Sequence, residues 1–118
     1  MATLALELKS KKKWLFRYIR AKERVYFLQH QSRSGESNSQ RVSIAKQNAD
    51  KLHDEICDAI DLLENINEMQ VLNYRFIDGL TLDAITLKMS YSIQWISELY
   101  RRGLRHINIP ERTEDHDY

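Results

Sequence analysis

Apolar residues recur along the first half of the chain at alternating intervals of three and four, in two separate runs. The first run lies within residues 4–28 and the second starts after about residue 41 and ends at residue 66. This spacing places the apolar side chains on one stripe of a helix and is typical of a coiled-coil seam. The stripe positions are Trp14, Tyr18, Ala21, Val25 and Leu28 in the first run and Ala45, Ala49, Leu52, Ile56, Ala59, Leu63 and Ile66 in the second.

A polar segment, QHQSRSGESNSQ, separates the two runs at residues 29–40 and contains four serines, one glycine and no apolar side chain. A segment of this composition has nothing to bury and is typical of an exposed loop. Two striped helices joined by such a loop fold back most simply as an antiparallel hairpin. The sequence therefore predicts a helical hairpin arm over residues 1–66.

The second half of the chain carries the start and stop signals of three shorter helices. A capping box at Asn67 indicates the start of the first helix. We expect that helix to run to about residue 78 and to stop at Gly79, because glycine readily adopts the left-handed conformation found after a helix C-terminus. Thr81 and Ser92 are placed to cap the second and third helices.

The apolar positions of these three helices are spaced as their mutual packing requires. Those expected to face inward are Leu72, Phe76, Ile77, Leu82, Ile85, Met89, Ile96, Leu99, Leu104 and Ile107. Because a turn of three residues joins the last two helices, the pattern predicts a helix-turn-helix at residues 67–109. The expected fold is all-α, with the N-terminal coiled-coil-like hairpin, this C-terminal three-helix domain, and a disordered acidic tail at residues 110–118.

Charges are abundant but balanced, with 30% of residues charged and a formal net charge of +1. Their distribution is uneven, because charged residues in 9–24 are almost all basic and those in 50–68 almost all acidic. Two helices of opposite charge lying side by side neutralise each other. We favour this structural role for the basic run, the alternative being that residues 9–13 form a second nucleic-acid contact.

Several function classes find no support in the sequence. A single cysteine, Cys57, excludes an intramolecular disulfide and fits a reducing cytosol. The histidines lack metal-ligand spacing, and carboxylates such as Asp54 and Asp58 fit a solvated helix face better than an active site. We therefore expect no catalytic residue, no metal and no cofactor. The first residues are too short and too charged for a signal peptide or membrane span, so we expect a cytoplasmic protein without membrane contact.

The stretch RFIDGLTLDAITLKMSYSIQWISELYRRGLRHI, residues 75–107, resembles region four of bacterial sigma factors. It is closer still to small phage-encoded late transcription regulators with a sigma-like C-terminal domain, of the ArpU/RinA type. The matching residues are Arg75, Ile77, Gly79, Thr81, Leu82, Ile85, Tyr91, Ser92, Ile96, Leu99, Arg102 and Leu104. Those regulators also have a long, charged, coiled-coil-like arm broken by a Ser-rich loop. Sigma-like turns usually carry glycine at the position of Ser90, so the resemblance implies a positive φ there.

The resemblance implies a regulator that binds duplex DNA and acts near RNA polymerase in the cytoplasm of a bacterial host. By position, it implies base-reading roles for Gln94, Trp95 and Glu98 and phosphate contacts for Ser92, Arg101, Arg102 and Arg105. Elementary chemistry agrees, because residues near the N-terminus of a groove-bound helix read bases while flanking arginines hold phosphates. A glutamine can pair with adenine, and a glutamate can accept a hydrogen bond from cytosine N4.

Two apolar features leave other roles open. Ile93 and Trp95 lie on the same outer face and could contact thymine methyl groups or a protein. The alternative function is therefore a helical protein-binding adaptor without DNA affinity. In the first helix, Leu15, Ile19 and Tyr26 form an additional apolar face, which predicts a homodimer through the arm.

Overall fold

The computed structural model describes residues 2–31 and 36–110, and the regular secondary structure within them is entirely α-helical. The helices are α1 (Ala2–Leu15), α2 (Arg17–Gln29), α3 (Glu36–Asp61), α4 (Ile66–Phe76), α5 (Leu82–Met89) and α6 (Ile93–His106). The predicted all-α class is confirmed for this part of the chain. The predicted acidic tail, apart from Pro110, lies outside the described residues.

Helices α2 and α3 run antiparallel and pack along the predicted stripe. The Arg17 guanidinium lies 3.5 Å from the Glu55 carboxylate at one end, and the Asn38 side chain donates a hydrogen bond to the Leu28 carbonyl at the other. Between them Ala21, Ala49 and Leu52 form a buried cluster, with Tyr18 and Val25 packed against it. Small side chains at the seam allow the two backbones to approach closely.

Two boundaries of the predicted hairpin differ from the structure. Helix α3 already begins at Glu36, so the predicted loop at residues 29–40 is too long at its C-terminal end; residues 32–35 of it lie outside the described part. The stripe was also expected to include Ile66, but that side chain is 67% exposed. The reason is that α3 ends at Asp61 and α4 starts at Ile66, which breaks the helical phase between them.

The expected single helix over residues 4–28 is interrupted at Phe16, which separates α1 from α2. The Phe16 ring packs edge-on against Phe76 of α4 with centroids 4.8 Å apart, and the Arg75 guanidinium lies 4.9 Å from the same ring. These contacts hold the break between α1 and α2 against α4. As a result α1 packs against α6, whereas α2 packs against α3.

One apolar core joins the hairpin to the C-terminal helices. It consists of Trp14 and Leu15 from α1, Ile56 and Ile60 from α3, Leu63 from the connection, Leu72 and Phe76 from α4, and Leu104 and Ile107 at the end of α6. We call this set the central core. It covers Leu15 completely, and Ile19 lies within 3.4 Å of where a Cβ on Gly79 would be. Of the three residues from which a homodimer was predicted, Leu15 is buried and Ile19 is half-buried within one chain, while Tyr26 is 64% exposed.

A second core packs α5 against both α4 and α6. Its buried members are Val71, Ile85, Ile96 and Leu99, with Leu82 and Met89 partly buried against them. These burials agree with the inward-facing positions expected from the sequence, to which the structure adds Val71. Ile77 is only half-buried at the edge of the central core.

The starts of α5 and α6 follow the predicted local signals, whereas α4 differs at both ends: another residue caps its start, and it ends at Phe76, two residues before the expected end. The Thr81 and Ser92 side chains accept hydrogen bonds from the backbone N–H groups of Ala84 and Trp95, as predicted. Gly79 has the expected positive φ of 74°. The capping box at Asn67 was wrong, because the Asn65 side chain caps α4 instead by accepting from the Glu68 N–H.

None of the helices in the described part of the chain combines the length and the apolar character needed to cross a membrane.

The closest approach of α4 to α6 depends on a glycine. A Cβ built on Gly103 would lie 3.0 Å from Cγ and 3.2 Å from both Cδ atoms of Leu72, which is fully buried. No side chain larger than hydrogen fits there without moving Leu72. Gly103 therefore sets the distance between the two helices.

We predict that Gly103→Ala lowers the free energy of unfolding by about 1 kcal/mol. Overpacking costs about 1–3 kcal/mol, and it is partly offset by a gain of about 1 kcal/mol because alanine favours the helix. Denaturant unfolding followed by circular dichroism measures the difference. In a Leu72→Ala background the opposing side chain is gone, so Gly103→Ala should there be stabilising. A loss of stability in both backgrounds would show that contact with Leu72 is not the cause.

Candidate nucleic-acid interface

Helix α6 has one buried and one solvent-facing side. Ile96, Leu99 and Leu104 are buried against the two cores, and the opposite side has no protein element over it among the described residues. The turn before α6 orients this side. Ser90 adopts a left-handed conformation with φ 59°, as the resemblance implied, and Ser92 then caps the helix.

The residues expected to contact DNA lie together on the solvent-facing side of α6 or at its start. Ser92, Gln94, Trp95, Arg101 and Arg105 are exposed, and Glu98 and Arg102 are partly exposed. Helical spacings of four and three place Gln94, Glu98, Arg101 and Arg105 on a single line along the helix. We call these seven residues the α6 face: Ser92, Gln94, Trp95, Glu98, Arg101, Arg102 and Arg105.

Glu98 is the electrostatic centre of the α6 face. One carboxylate oxygen accepts a hydrogen bond from Arg101 at 2.7 Å and the other accepts one from Arg102 at 2.9 Å. These two hydrogen bonds lower the pKa of Glu98 below its ordinary value. The carboxylate is therefore ionised at neutral pH, so it orients both guanidinium groups and neutralises part of their charge.

Trp95 is less accessible to a binding partner than its position suggests. The Arg102 guanidinium lies 5.2 Å from the centroid of the indole ring, within the range of a cation–π contact. Trp95 nevertheless keeps 37% of its surface exposed, and its neighbour Ile93 keeps 39%. Arg102 thus links Glu98 to Trp95, and the three side chains form one connected group on the surface.

Two contacts that sequence reasoning missed hold the C-terminal end of α6. The ammonium group of Lys11, a residue only 8% exposed, donates a hydrogen bond of 3.0 Å to the Arg105 carbonyl. A lysine at this point satisfies a free carbonyl and favours the negative end of the helix dipole. The Glu68 carboxylate, 4% exposed, lies 2.8 Å from Nδ1 of His106. His106 is itself exposed, and no local pattern pairs it with a residue 38 positions away.

Other chemistry-bearing residues are dispersed. In the described part of the chain, no three His, Cys, Asp or Glu side chains lie close enough together to hold a metal ion. An open groove of about 400 Å³ runs between α2 and α3, and the charged residues among those that line it are Lys22, Lys46 and Asp50. The acidic pair considered from the sequence, Asp54 and Asp58, is exposed on α3 outside that lining.

Cys57 is half-buried on α3, where partial burial raises the pKa of its thiol, as do the nearby carboxylates of Asp61, Asp54 and Asp58. The nucleophilic form of cysteine is the thiolate, so a raised pKa makes the group less reactive at neutral pH. The thiol also lies 3.6 Å from Nε2 of His53. That contact does not reverse the direction of the shift.

We predict that iodoacetamide alkylates Cys57 more slowly in the native protein than in the denatured chain at pH 8. The rate should rise with pH to a midpoint above that of an unperturbed cysteine, because the carboxylates disfavour the thiolate. Mass spectrometry of quenched samples gives the rates. Asp58→Asn/Asp61→Asn should move the midpoint down. Native alkylation faster than in denaturant would instead indicate an activated thiolate.

No protein-family model matches the chain, and comparison with curated proteins and with solved structures likewise gave no match.

Proposed function

We propose that this protein is a transcription regulator that binds duplex DNA through the α6 face. In this proposal α4, α5 and α6 act as a helix-turn-helix resembling region four of sigma factors, and α6 enters the major groove. The single observation that carries the proposal is the exposed side of α6. It presents three arginines and a glutamine on a helix whose opposite side is fully packed.

The dimensions and chemistry of the α6 face suit a DNA groove. The major groove of B-DNA is about 12 Å wide and admits one α-helix. Gln94 lies in the first turn of α6, where it can reach a base edge and form two hydrogen bonds with adenine. Arg101 and Arg105 lie two to three turns further along, where they can hold phosphates and fix the helix in register.

In this proposal Glu98 lets the α6 face discriminate between DNA sequences. While it holds Arg101 and Arg102, it reduces their attraction for any phosphate backbone. A cytosine N4 amino group at the right position can replace one of these hydrogen bonds, which frees an arginine for a phosphate. We infer that Glu98 weakens binding to unrelated sequences more than binding to the target.

The hairpin of α2 and α3 supplies the second part of the proposed function. Its surface carries exposed apolar residues, among them Phe27 at 62% and Ile44 at 67% exposure. We propose that this surface contacts RNA polymerase or a second copy of the chain while α6 holds the DNA. The resemblance to phage-encoded late regulators favours the polymerase in a bacterial cytoplasm.

Exposed Ile93 and Trp95 favour a second candidate, a protein-binding adaptor that uses the same face without DNA affinity. The salt dependence of DNA binding separates the two candidates. An adaptor would show no affinity for duplexes even at low ionic strength, and Trp95→Ala would abolish its binding to a protein partner.

We predict that Arg101→Ala/Arg102→Ala weakens duplex binding and flattens its dependence on salt. Each phosphate contact adds about −0.9 to the slope of log K against log salt, so losing one or two contacts should make the slope less negative by about 0.9 to 1.8. Fluorescence anisotropy of a labelled duplex across a salt series measures this. Arg24→Ala/Arg41→Ala removes the same charge from exposed positions on the hairpin and is the matched control. Equal effects of the two double variants would contradict a specific role for α6.

We predict that Glu98→Gln strengthens binding to unrelated duplexes and reduces discrimination. Freeing the two arginines should add about one phosphate contact, which makes the salt slope steeper by about 0.9. Asp58→Asn on α3 makes the same charge change away from α6 and should leave the slope unchanged. Because the pKa of Glu98 is lowered, wild-type binding should show no titration of this group between pH 6 and pH 8. A Glu98→Gln variant that binds every duplex more weakly would show that the carboxylate assists binding generally.

A further inference from the structure

The basic run at the start of the chain is divided between two neighbours. On the α2 side of Phe16, Arg17 forms an ion pair with Glu55 of the acidic helix α3. On the α1 side, Lys11 donates to the Arg105 carbonyl, and the Lys12 ammonium lies 5.9 Å from the centroid of the Tyr100 ring. Lys11 and Lys12 therefore lie beside α6, and the neutralisation by α3 expected from the sequence does not account for them.

The lysines of α1 differ in exposure. Lys11 is buried, and its ammonium group is committed to the end of α6. Lys9, Lys12 and Lys13 are exposed, and none of them forms an ion pair with a carboxylate of the described residues. Because Lys12 and Lys13 follow Lys9 at spacings of three and four, the three share one side of the helix. We call these three residues the α1 lysine face.

The α1 lysine face lies on a helix that packs against the C-terminal half of α6. Lys12 contacts Tyr100, the residue that precedes Arg101, and the buried Lys11 fixes α1 against the backbone at Arg105. Helix α5 and Trp95 lie on the other flank of α6, since α5 packs through Ile96 and Leu99. A duplex seated on α6 would therefore have the α1 lysines along one side of the groove.

We propose that the α1 lysine face binds the sugar–phosphate backbone at the edge of the groove that α6 occupies. The proposal rests on the proposed function, because it takes DNA binding by α6 as given. Lysine acts on phosphate as a point charge, so these contacts add affinity and salt dependence without reading sequence. The buried Lys11 positions the other three by holding α1 in place.

A salt series tests the proposal on the full chain. Lys9→Gln/Lys12→Gln/Lys13→Gln should make the slope of log K against log salt less negative by up to about 2.7, at about 0.9 for each lost phosphate contact. The preference for one sequence over another should not change. Lys22→Gln/Lys46→Gln/Lys51→Gln removes the same charge from exposed hairpin positions and serves as the control. Circular dichroism confirms that both triple variants remain helical.

Lysine acetylation of the wild-type protein provides an independent measurement. With DNA bound, Lys9, Lys12 and Lys13 should acetylate more slowly, while Lys22 and Lys46 should not change. Lys11 should react slowly with or without DNA, because it is buried.

The outcomes distinguish the two proposals. The α1 proposal is supported if DNA protects Lys9, Lys12 and Lys13 from acetylation and if only their triple variant, not the hairpin control, makes the salt slope less negative. If Arg101→Ala/Arg102→Ala weakens binding but the two lysine variants behave alike, the α1 proposal fails and the proposed function stands. If the wild-type protein does not bind duplexes at low ionic strength, both the proposed function and the α1 proposal fail.

Discussion

Burial of the central core is the constraint on which the rest of the structure depends. Four of the helices contribute side chains to it, and the end of α6 lies directly on it through Leu104 and Ile107. Because apolar burial is the main favourable term in folding, the same free energy that folds the hairpin also fixes α6. Gly103 allows this arrangement, since it lets Leu72 approach the α6 backbone. The side of α6 that stays exposed is thus determined by the side that packs on the central core.

Features encoded within a few residues could be predicted from the sequence. Helical stripes depend on a spacing of three and four, and the caps at Thr81 and Ser92 depend on a hydroxyl three residues before an N–H group. The same logic failed where two local signals competed. Asn65 and Asn67 are both good caps, and tertiary packing of Leu63 and Glu68 selects the earlier one. The interruption at Phe16 also has a distant cause, namely the Phe76 ring.

The candidate site was predictable as a set of positions but not as a set of interactions. Helical geometry alone places Gln94, Arg101 and Arg105 on one side, and the structure has them there. Helical geometry does not predict that Glu98 pairs with both Arg101 and Arg102, as it does in the structure, because several pairings are open to neighbouring charges on a helix. The contacts of Lys11 and Glu68 span 94 and 38 residues, so they follow from the tertiary fold alone.

The attachment of the C-terminal end of α6 has a mechanical consequence. Lys11 of α1 and Glu68 of α4 hold this end, and the central core joins α1 and α4 to α3, so the orientation of α6 is tied to that of the hairpin. Helix α2 has 13 residues and therefore extends about 20 Å away from the central core. A molecule bound near Phe27 would therefore lie at a fixed distance and angle from a molecule bound on α6.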